Sequence, residues 1–443
     1  MADNSMRRVA VLGGSRIPFC RSHTAYAELS NLDMLTAALG GLVDRFALHG
    51  THIDEVAGGA VVTHAKDWNL AREAVIGSAL APTTPAITMM QACGTSLAGA
   101  LGIAAKIATG QIESGISLGS DTTSDAPVVF QRRFAQRLVQ LSHARRLGQK
   151  AAAFKTFTPA ELAPQPPSTS EPRTGLSMGE HCELMAKEWG ITREAQDLLA
   201  YESHKKAAAA YDEGFMDDLV VPCAGVFRDN NIREDISLEK MAELKPVFDR
   251  SGGTITAANS TPMTDGAATV LLASEDWANS RGIPIQAYLS LGRTSAVDFV
   301  QGEGLLMAPT VAVSELLKHT GLALQDFDYY EIHEAFAAQV LASLKAWESE
   351  EFCRTRLGKD KALGEIDRSK LNVKGSSIAI GHPFAATGAR IIPVLAKLLQ
   401  GKRGGRGLIS VCTAGGMGVA AILEGVATQP APSAAAASGM GAS

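Results

Sequence analysis

Residues 89–109 read Met-Met-Gln-Ala-Cys-Gly-Thr-Ser-Leu-Ala-Gly-Ala-Leu-Gly-Ile-Ala-Ala-Lys-Ile-Ala-Thr, and this stretch decides the fold. Upstream, Pro85-Ala86-Ile87-Thr88-Met89-Met90 has the texture of a buried strand. Downstream, Leu97 to Ile107 has the small and apolar spacing of a helix packed into an interior. Cys93 therefore falls in a strand-to-helix turn. A thiol there faces the unpaired N–H groups and the positive end of the helix, which is expected to lower its pKa and favour the nucleophilic thiolate. Free cysteine is also among the most buried residue types, so a single cysteine in a turn makes no mechanism without partners.

Outward from this turn, strands and helices alternate. Arg8 to Gly14 and Val56 to Val62 read as strands, Asn31 to Phe46 and Leu70 to Leu80 as helices, the second stopped before Pro82. Such alternation predicts an α/β fold with a mainly parallel sheet covered by helices. From 121 to 249 the alternation stops. Phe130 to Phe157 carries Arg132, Arg133, Arg137, Arg145, Arg146, Lys150 and Lys155, followed by a Pro-rich run and two helical segments, Ser177–Trp189 and Thr192–Asp212, the latter with Thr192 as cap. The basic stretch suits a solvated helix face, or a surface for an anionic ligand or partner. The alternating texture then returns, with Ala267–Leu272, Ile285–Leu291 and Tyr329–Ile332 as strands and Val311–His319 as a helix. The expected organisation is a first half from 1–120 plus 250–280, an inserted helical domain over 121–249, a second half over 281–427, and a disordered Ala/Ser/Gly/Pro tail at 428–443.

The two halves share a pattern. Around Cys93 the order is strand, Cys-Gly-Thr-Ser turn, helix, then the Gly115-Ile-Ser-Leu strand. Around His382 it is Ser376–Ile380 as a strand, a Gly-His-Pro-Phe turn, a helix from Ala385 to Leu399, then Gly407-Leu-Ile-Ser-Val-Cys. A duplicated α/β half-molecule explains this, and a pseudo-two-fold axis would bring both turns to one site at the carboxyl ends of the strands.

Composition excludes several classes. With 443 residues, 46% hydrophobic, 20% charged and a net charge of −5, the chain is an ordinary globular protein with no overall pull toward nucleic acid. Six cysteines without Cys-x-x-Cys or Cys/His spacing indicate neither a disulfide framework nor a metal site. No apolar run approaches the roughly 20 residues of a membrane span, and the start runs into a strand without a signal region, so a cytoplasmic protein is expected.

Further candidates follow from the strand ends. His382 sits between Gly381 and Pro383, where it is either structural or the imidazole that a thiol nucleophile needs. Cys412 opens Cys-Thr-Ala-Gly-Gly-Met-Gly, whose bare N–H groups could face a ligand oxygen or could serve tight packing. His333 opens His-Glu-Ala-Phe-Ala directly after a strand, and Asn259 and Asp265 shape a Thr-Ala-Ala-Asn-Ser-Thr-Pro-Met-Thr-Asp-Gly-Ala turn.

The blocks Gln-Ala-Cys-Gly-Thr-Ser (91–96), His-Glu-Ala-Phe-Ala (333–337), Gly-His-Pro-Phe-Ala-Ala-Thr-Gly (381–388) and Cys-Thr-Ala-Gly-Gly-Met-Gly (412–418) together resemble the thiolases, from about residue 7 to 426. The resemblance implies a five-layered αβαβα fold with an inserted loop domain. It implies Cys93 as acyl-accepting nucleophile, His382 as its activator, Cys412 as the acid/base at the α-carbon, and His333 as an oxyanion ligand. It places the Ala414 N–H, with that of Cys93, in a second oxyanion hole, and Met178, Ser260 and Thr261 beside the pantetheine. CoA would be a co-substrate, with no permanently bound cofactor and no metal, and the assembly a homodimer or dimer of dimers, with a hydratase/dehydrogenase subunit as a candidate partner. The His-Glu-Ala-Phe block is similar to fatty-acid-oxidising 3-ketoacyl-CoA thiolases. Ser177 where many members carry His, and Thr413-Ala414 in place of a residue-Gly pair, are departures that bear on substrate length. A biosynthetic acetoacetyl-CoA thiolase, a β-ketoacyl synthase and a non-catalytic acyl-CoA carrier are the alternatives.

Overall fold

The computed structural model describes residues 6–427, so the tail expected to be disordered, 428–443, lies outside the described residues. The first segment runs β1 (Val9–Arg16), β2 (Cys20–Arg21), α1 (Asn31–Arg45), β3 (Glu55–Gly59), α2 (Leu70–Gly77), β4 (Ala86–Thr88), α3 (Thr95–Ala108) and β5 (Ser114–Asp121). An excursion follows through β6 (Val129–Phe130), α4 (Arg132–His143), α5 (Leu147–Phe154), β7 (Pro164–Gln165), α6 (Met178–Glu188), α7 (Arg193–Asp212) and α8 (Leu238–Ala242). The chain then re-enters the sheet as β8 (Thr264–Ser274), followed by α9 (Glu275–Ser280). The remainder is β9 (Ala287–Ala296), α10 (Ala308–Thr320), β10 (Tyr329–Ile332), α11 (Ala337–Glu348), α12 (Glu350–Arg356), α13 (Ser377–Ile380), α14 (Thr387–Gln400), β11 (Arg406–Thr413) and β12 (Met417–Gly425).

The pairing repeats. In the first half β1 lies antiparallel to β8, β8 antiparallel to β5, and β5, β3 and β4 run parallel. In the second, β9 lies antiparallel to β12, β12 antiparallel to β11, and β11 and β10 run parallel. Two pairs between β1 and β9, Ala10 with Tyr288 and Val11 with Ala287, join the halves. Local sequence sets the helix starts. Ser30, Ser177 and Thr192 each accept an amide hydrogen bond at an N-cap, and Ser177 with Glu180 closes a full capping box.

Three strand expectations need correction. The sheet is not mainly parallel: β3–β4, β3–β5 and β10–β11 pair parallel, whereas β1–β8, β1–β9, β5–β8, β9–β12 and β11–β12 pair antiparallel. Ser376–Ile380 is not a strand: 377–380 form the short helix α13, and β10's outer neighbour is only a bridge from Tyr330 to Leu371. A five-residue apolar run carries no periodicity that separates a buried strand from a buried helical turn. The segment before Cys93 is a strand for only three residues and is not buried, since β4 pairs with β3 alone and leaves Ile87 51% and Met90 63% exposed.

Five layers result. Helices α3 and α14 form the middle one, with Leu97, Ile103 and Ile107 of α3 and Ile391, Val394 and Leu395 of α14 in one core with strand residues of both halves. The two helices approach so closely that a Cβ on Gly388 would stand 2.3 Å from the Leu97 nitrogen, which requires glycine there. The opposite face of the first half packs on α1 and α2 through Leu35, Leu39, Leu42 and Leu70, and that of the second on α10 and α11 through Val313, Leu316, Leu344 and Trp347. This middle layer positions the candidate site, because Cys93 precedes α3 and His382 precedes α14.

The excursion is fastened to β1 by a buried ion pair. Arg16 donates through Nη1 and Nη2 to the Asp229 carboxylate at 2.6 and 2.8 Å, which also accepts from the Phe19 amide and the Tyr211 hydroxyl. Asp229→Ala would strand the guanidinium in the interior. We expect a loss of about 3 kcal/mol in urea unfolding, whereas a loss within error of zero would show that the pair is not solvent-excluded.

Candidate active site

Cys93 sits in a tight turn whose shape is locally determined. Gly94 N–H bonds to Gln91 O at 3.0 Å, Thr95 Oγ1 accepts from Gln91 N–H at 2.8 Å, and it donates to Ala92 O at 2.7 Å. Ala92 is held at φ 46°, a left-handed conformation that costs a non-glycine residue of order 1 kcal/mol and persists because Thr95 pins both sides of it. The turn points the thiol into the molecule, where its Sγ lies 3.1 Å from Nε2 of His382.

His382 comes from the other half. Its Nδ1 lies 2.5 Å from Thr387 Oγ1 in the first turn of α14. For Nε2 to accept from the thiol, Nδ1 must carry the ring proton and donate it to Thr387, an assignment made from the hydrogen-bond pattern. The turn itself is fixed by Asp121 at the end of β5, which accepts from the amides of Ala385 at 2.8 Å and of Val61 and Val62. Gly119 allows this approach, since a Cβ there would stand 2.0 Å from Ala385 O. Burial pushes the Asp121 carboxyl up to about 7 against the pull of those amides.

The electrostatics correct the expectation for the thiol. Burial pushes Cys93 up to about 12; the Ala414 N–H and its own N–H pull it down, while Asp121 pushes it further up. Burial, with the charge of Arg390 adding to it, pushes His382 down to about 3. Desolvation thus favours the neutral thiol and neutral imidazole over the ion pair. Such a pair becomes nucleophilic only as the proton crosses the 3.1 Å between them.

His333 follows β10, its amide bonded to Ser410 O of β11 at 2.8 Å. Its ring is fully buried, 4.2 Å centroid to centroid from His382, with Nδ1 at 2.8 Å from Ser377 Oγ and Nε2 without a partner. The following Glu334 locks this loop by accepting from Ser203 Oγ and Asn372 Nδ2, both at 2.7 Å. Ligand atoms of Cys93, His333 and His382 lie within 4.8 Å of one another, the one such cluster that could hold a metal ion among the described residues. In it the thiol and one imidazole already serve as each other's hydrogen-bond partners.

Cys412 is the penultimate residue of β11, opposite Gly418, and is buried in one core cluster with Ala335, Phe336 and Met307. Burial raises its thiol well above the ordinary value, and Cys93 is close enough to add to that rise. The Ala414 N–H counts among the groups that pull the Cys93 thiol down, while the next amide, Gly415, is taken by Glu171 at 2.8 Å. The structure therefore brings Cys93, His382, His333, Cys412 and Ala414 together from both halves.

The residues expected beside the pantetheine divide. Ser260 bridges to Phe336 and Thr261 N–H bonds to Ala335 O at 3.0 Å, so both abut the His333 loop, and both line a cleft of about 670 Å³. Met178 is not on that wall; it starts α6 and packs with Phe248 and Phe336. None of Arg132 to Lys155 lines the cleft, whose arginines are Arg21 and Arg233. Sequence reasoning missed these two, as well as Asp121, Thr387 and Ser377, because nothing local marks residues that meet only after folding. Asn259 and Asp265 shape the backbone: Asn259 accepts from Thr256 N–H and donates to Asp197, and Asp265 accepts from Thr123 and Ser124.

Comparison with known proteins identifies the family of the chain. Residues 9–276 match the thiolase N-terminal domain and residues 285–425 the thiolase C-terminal domain. The 3-ketoacyl-CoA thiolase of Shewanella loihica is 43% identical over 423 residues, covering 94% of this chain and 97% of its own, and that of Shewanella woodyi is 42% identical over the same length. Among solved structures, an acetyl-CoA acetyltransferase from Bacillus anthracis superposes with a TM-score of 0.78 at 28% identity, covering 95% of this chain and 100% of that one. A thiolase from Ascaris suum in complex with coenzyme A gives the same TM-score and coverage at 26% identity. With both domains matched along nearly the whole chain, and with two cysteines and two histidines gathered from its two halves, this protein belongs to the thiolase family.

Proposed function

We propose that the protein is a 3-ketoacyl-CoA thiolase of fatty-acid β-oxidation, cleaving 3-ketoacyl-CoA with CoA to acetyl-CoA and a shortened acyl-CoA. The observation that carries this reading is the Cys93 Sγ to His382 Nε2 contact of 3.1 Å with the Cys412 thiol buried beside it. His382 takes the Cys93 proton as sulfur attacks the 3-keto carbon, whose oxygen faces His382 and His333. The bond between the α-carbon and that carbon breaks, its electron pair leaves as the acetyl-CoA enolate, and Cys412 delivers a proton to the α-carbon. Acyl-Cys93 remains. The Cys412 thiolate then takes the proton from incoming CoA, whose sulfur attacks the acyl carbon while the amides of Cys93 and Ala414 hold the oxyanion. Cys93 departs and recovers its proton from His382. CoA enters the cleft in our reading, with Ser260 and Thr261 along the pantetheine and Arg21 and Arg233 toward the phosphates, and Met178 off that wall.

A chain-length series with purified protein tests the reading. We expect long 3-ketoacyl-CoA substrates to be cleaved faster than acetoacetyl-CoA. Turnover confined to acetoacetyl-CoA would instead support a biosynthetic acetyl-CoA acetyltransferase, the second reading, which is favoured by the structural likeness to the Bacillus anthracis enzyme.

A homodimer fits the exposed edge of β4, which offers unpaired backbone groups beside Ile87 and Met90. Ile87→Lys is expected to convert the dimer to monomer in sedimentation, and an unchanged mass would remove this edge from consideration. The basic segment from α4 through Arg146, without a buried residue, is the proposed face for a hydratase/dehydrogenase subunit. That subunit should cease to co-purify when Arg145 and Arg146 are neutralised, the homodimer remaining intact. Six free thiols fit a cytoplasmic location, which cell fractionation would check. Among the described residues no helix is long and apolar enough to cross a membrane.

A further inference from the structure

Arg390 lies inside α14 with only 2% of its surface exposed, an unusual place for a charge. Its Nη2 donates to Ser376 Oγ at 3.2 Å and to Ser377 Oγ at 3.0 Å. Ser377 Oγ is in turn 2.8 Å from Nδ1 of His333. A serine hydroxyl has one proton to give and can accept two. With the guanidinium N–H donated to its oxygen, Ser377 keeps its own proton for an acceptor, and Nδ1 of His333 is the acceptor beside it among the described residues. The reverse arrangement, with Nδ1–H donating to Ser377, would leave a buried hydroxyl proton unsatisfied.

We propose that Arg390, acting through the hydroxyl of Ser377, is a positioning residue that holds His333 as the neutral tautomer protonated on Nε2, so that this N–H is the donor offered to the substrate carbonyl oxygen. The inference rests on the reading of His333 as an oxyanion ligand and says how the chain prepares it. The second observation is at the other end of the ring. Nε2 is buried and has no partner among the described residues, and His333 belongs with Cys93 and His382 to a cluster whose ligand atoms lie within 4.8 Å of one another. A donor left open at that point is what a developing oxyanion requires.

The surrounding charges act in the same direction. His382 faces His333 directly, Glu331 and Glu334 approach Arg390 from β10 and its following turn, and Arg16, Asp229 and Lys206 lie farther out. Burial pushes Glu331 up to about 8, so at neutral pH it is largely protonated, and neither of its oxygens has a partner. Arg390 is itself lowered to about 10 by burial and stays charged. Burial, His382 and Arg390 together drive His333 well below its ordinary value, so the imidazolium form is excluded. Arg390 therefore supplies a fixed positive charge that keeps both rings neutral and a fixed N–H that decides which nitrogen of His333 carries the proton.

Two-bond proton–nitrogen NMR on protein labelled with nitrogen-15 histidine tests this, the His333 signals being assigned by their loss in His333→Asn. The wild type is expected to show His333 protonated on Nε2. Ser377→Ala is expected to shift that population toward Nδ1 and to lower kcat for thiolysis about 10²-fold, with KM within about twofold. Arg390→Met should match it. Should Arg390→Met fail to fold, the wild-type spectrum and Ser377→Ala decide. His333 found protonated on Nδ1 in the wild type, or an unaltered kcat in Ser377→Ala, overturns the inference. The two failures separate cleanly: if His333→Ala, which removes the donor, is slow while the wild-type proton is on Nδ1, only the inference falls, whereas an unimpaired His333→Ala removes the oxyanion role and the inference with it.

Discussion

Replacing Cys93 by alanine is expected to reduce thiolysis by at least about 10⁴-fold and to abolish the acyl-enzyme seen by intact-protein mass spectrometry. The reason is that no second nucleophile can take its place. Cys412 is buried with its thiol raised well above the ordinary value, and the imidazole 3.1 Å from the Cys93 sulfur belongs to that sulfur alone. The fold should survive, because Cys93 is a turn residue whose conformation is set by Thr95 and Gln91. Unfolding by urea should therefore match the wild type, which separates a chemical defect from a structural one. Turnover retained in this variant would end the covalent mechanism.

Cys412→Ala is expected to slow carbon–carbon cleavage by about 10³-fold while leaving partial exchange of acyl groups between CoA and Cys93. In the proposed mechanism cleavage needs a proton at the α-carbon, and Cys412 is the thiol assigned to deliver it. In that mechanism acylation of Cys93 from an acyl-CoA needs only sulfur, His382 and the amides of Cys93 and Ala414, both of which pull the thiol pKa down in the resting protein. The same division explains why both thiols are buried and neutral: each holds a proton that moves during the reaction. An equal loss of cleavage and exchange would mean that Cys412 serves the acyl transfer itself.

Much of this site could be read from sequence because each part lies at a strand end followed by a turn and a helix. The Cys93 turn, the His382 turn and the His333 loop each carry their shape in adjacent residues, such as the glycine and proline flanking His382. The helix starts at Asn31, Met178 and Arg193 follow from the caps Ser30, Ser177 and Thr192. Reading failed where burial outweighed local pattern. The thiol was expected to be acidified by its helix, yet desolvation pushes it to about 12. Ser376–Ile380 was expected to be a strand, yet it is one helical turn, since a short apolar run fits either.

The sequence by itself determined the alternating elements, the duplication and the four blocks that carry the chemistry, because these depend on periodicity and on turns a few residues long. Only the tertiary structure decided what those blocks do to one another. Asp121 reaches the His382 turn across 264 positions, and Arg16 meets Asp229 across 213. The protonation of Cys93, His333 and His382 depends on how completely water is excluded and on where the charge of Arg390 falls. Desolvation and Coulomb interaction act through space between residues far apart in the chain, so no local stretch of sequence encodes them.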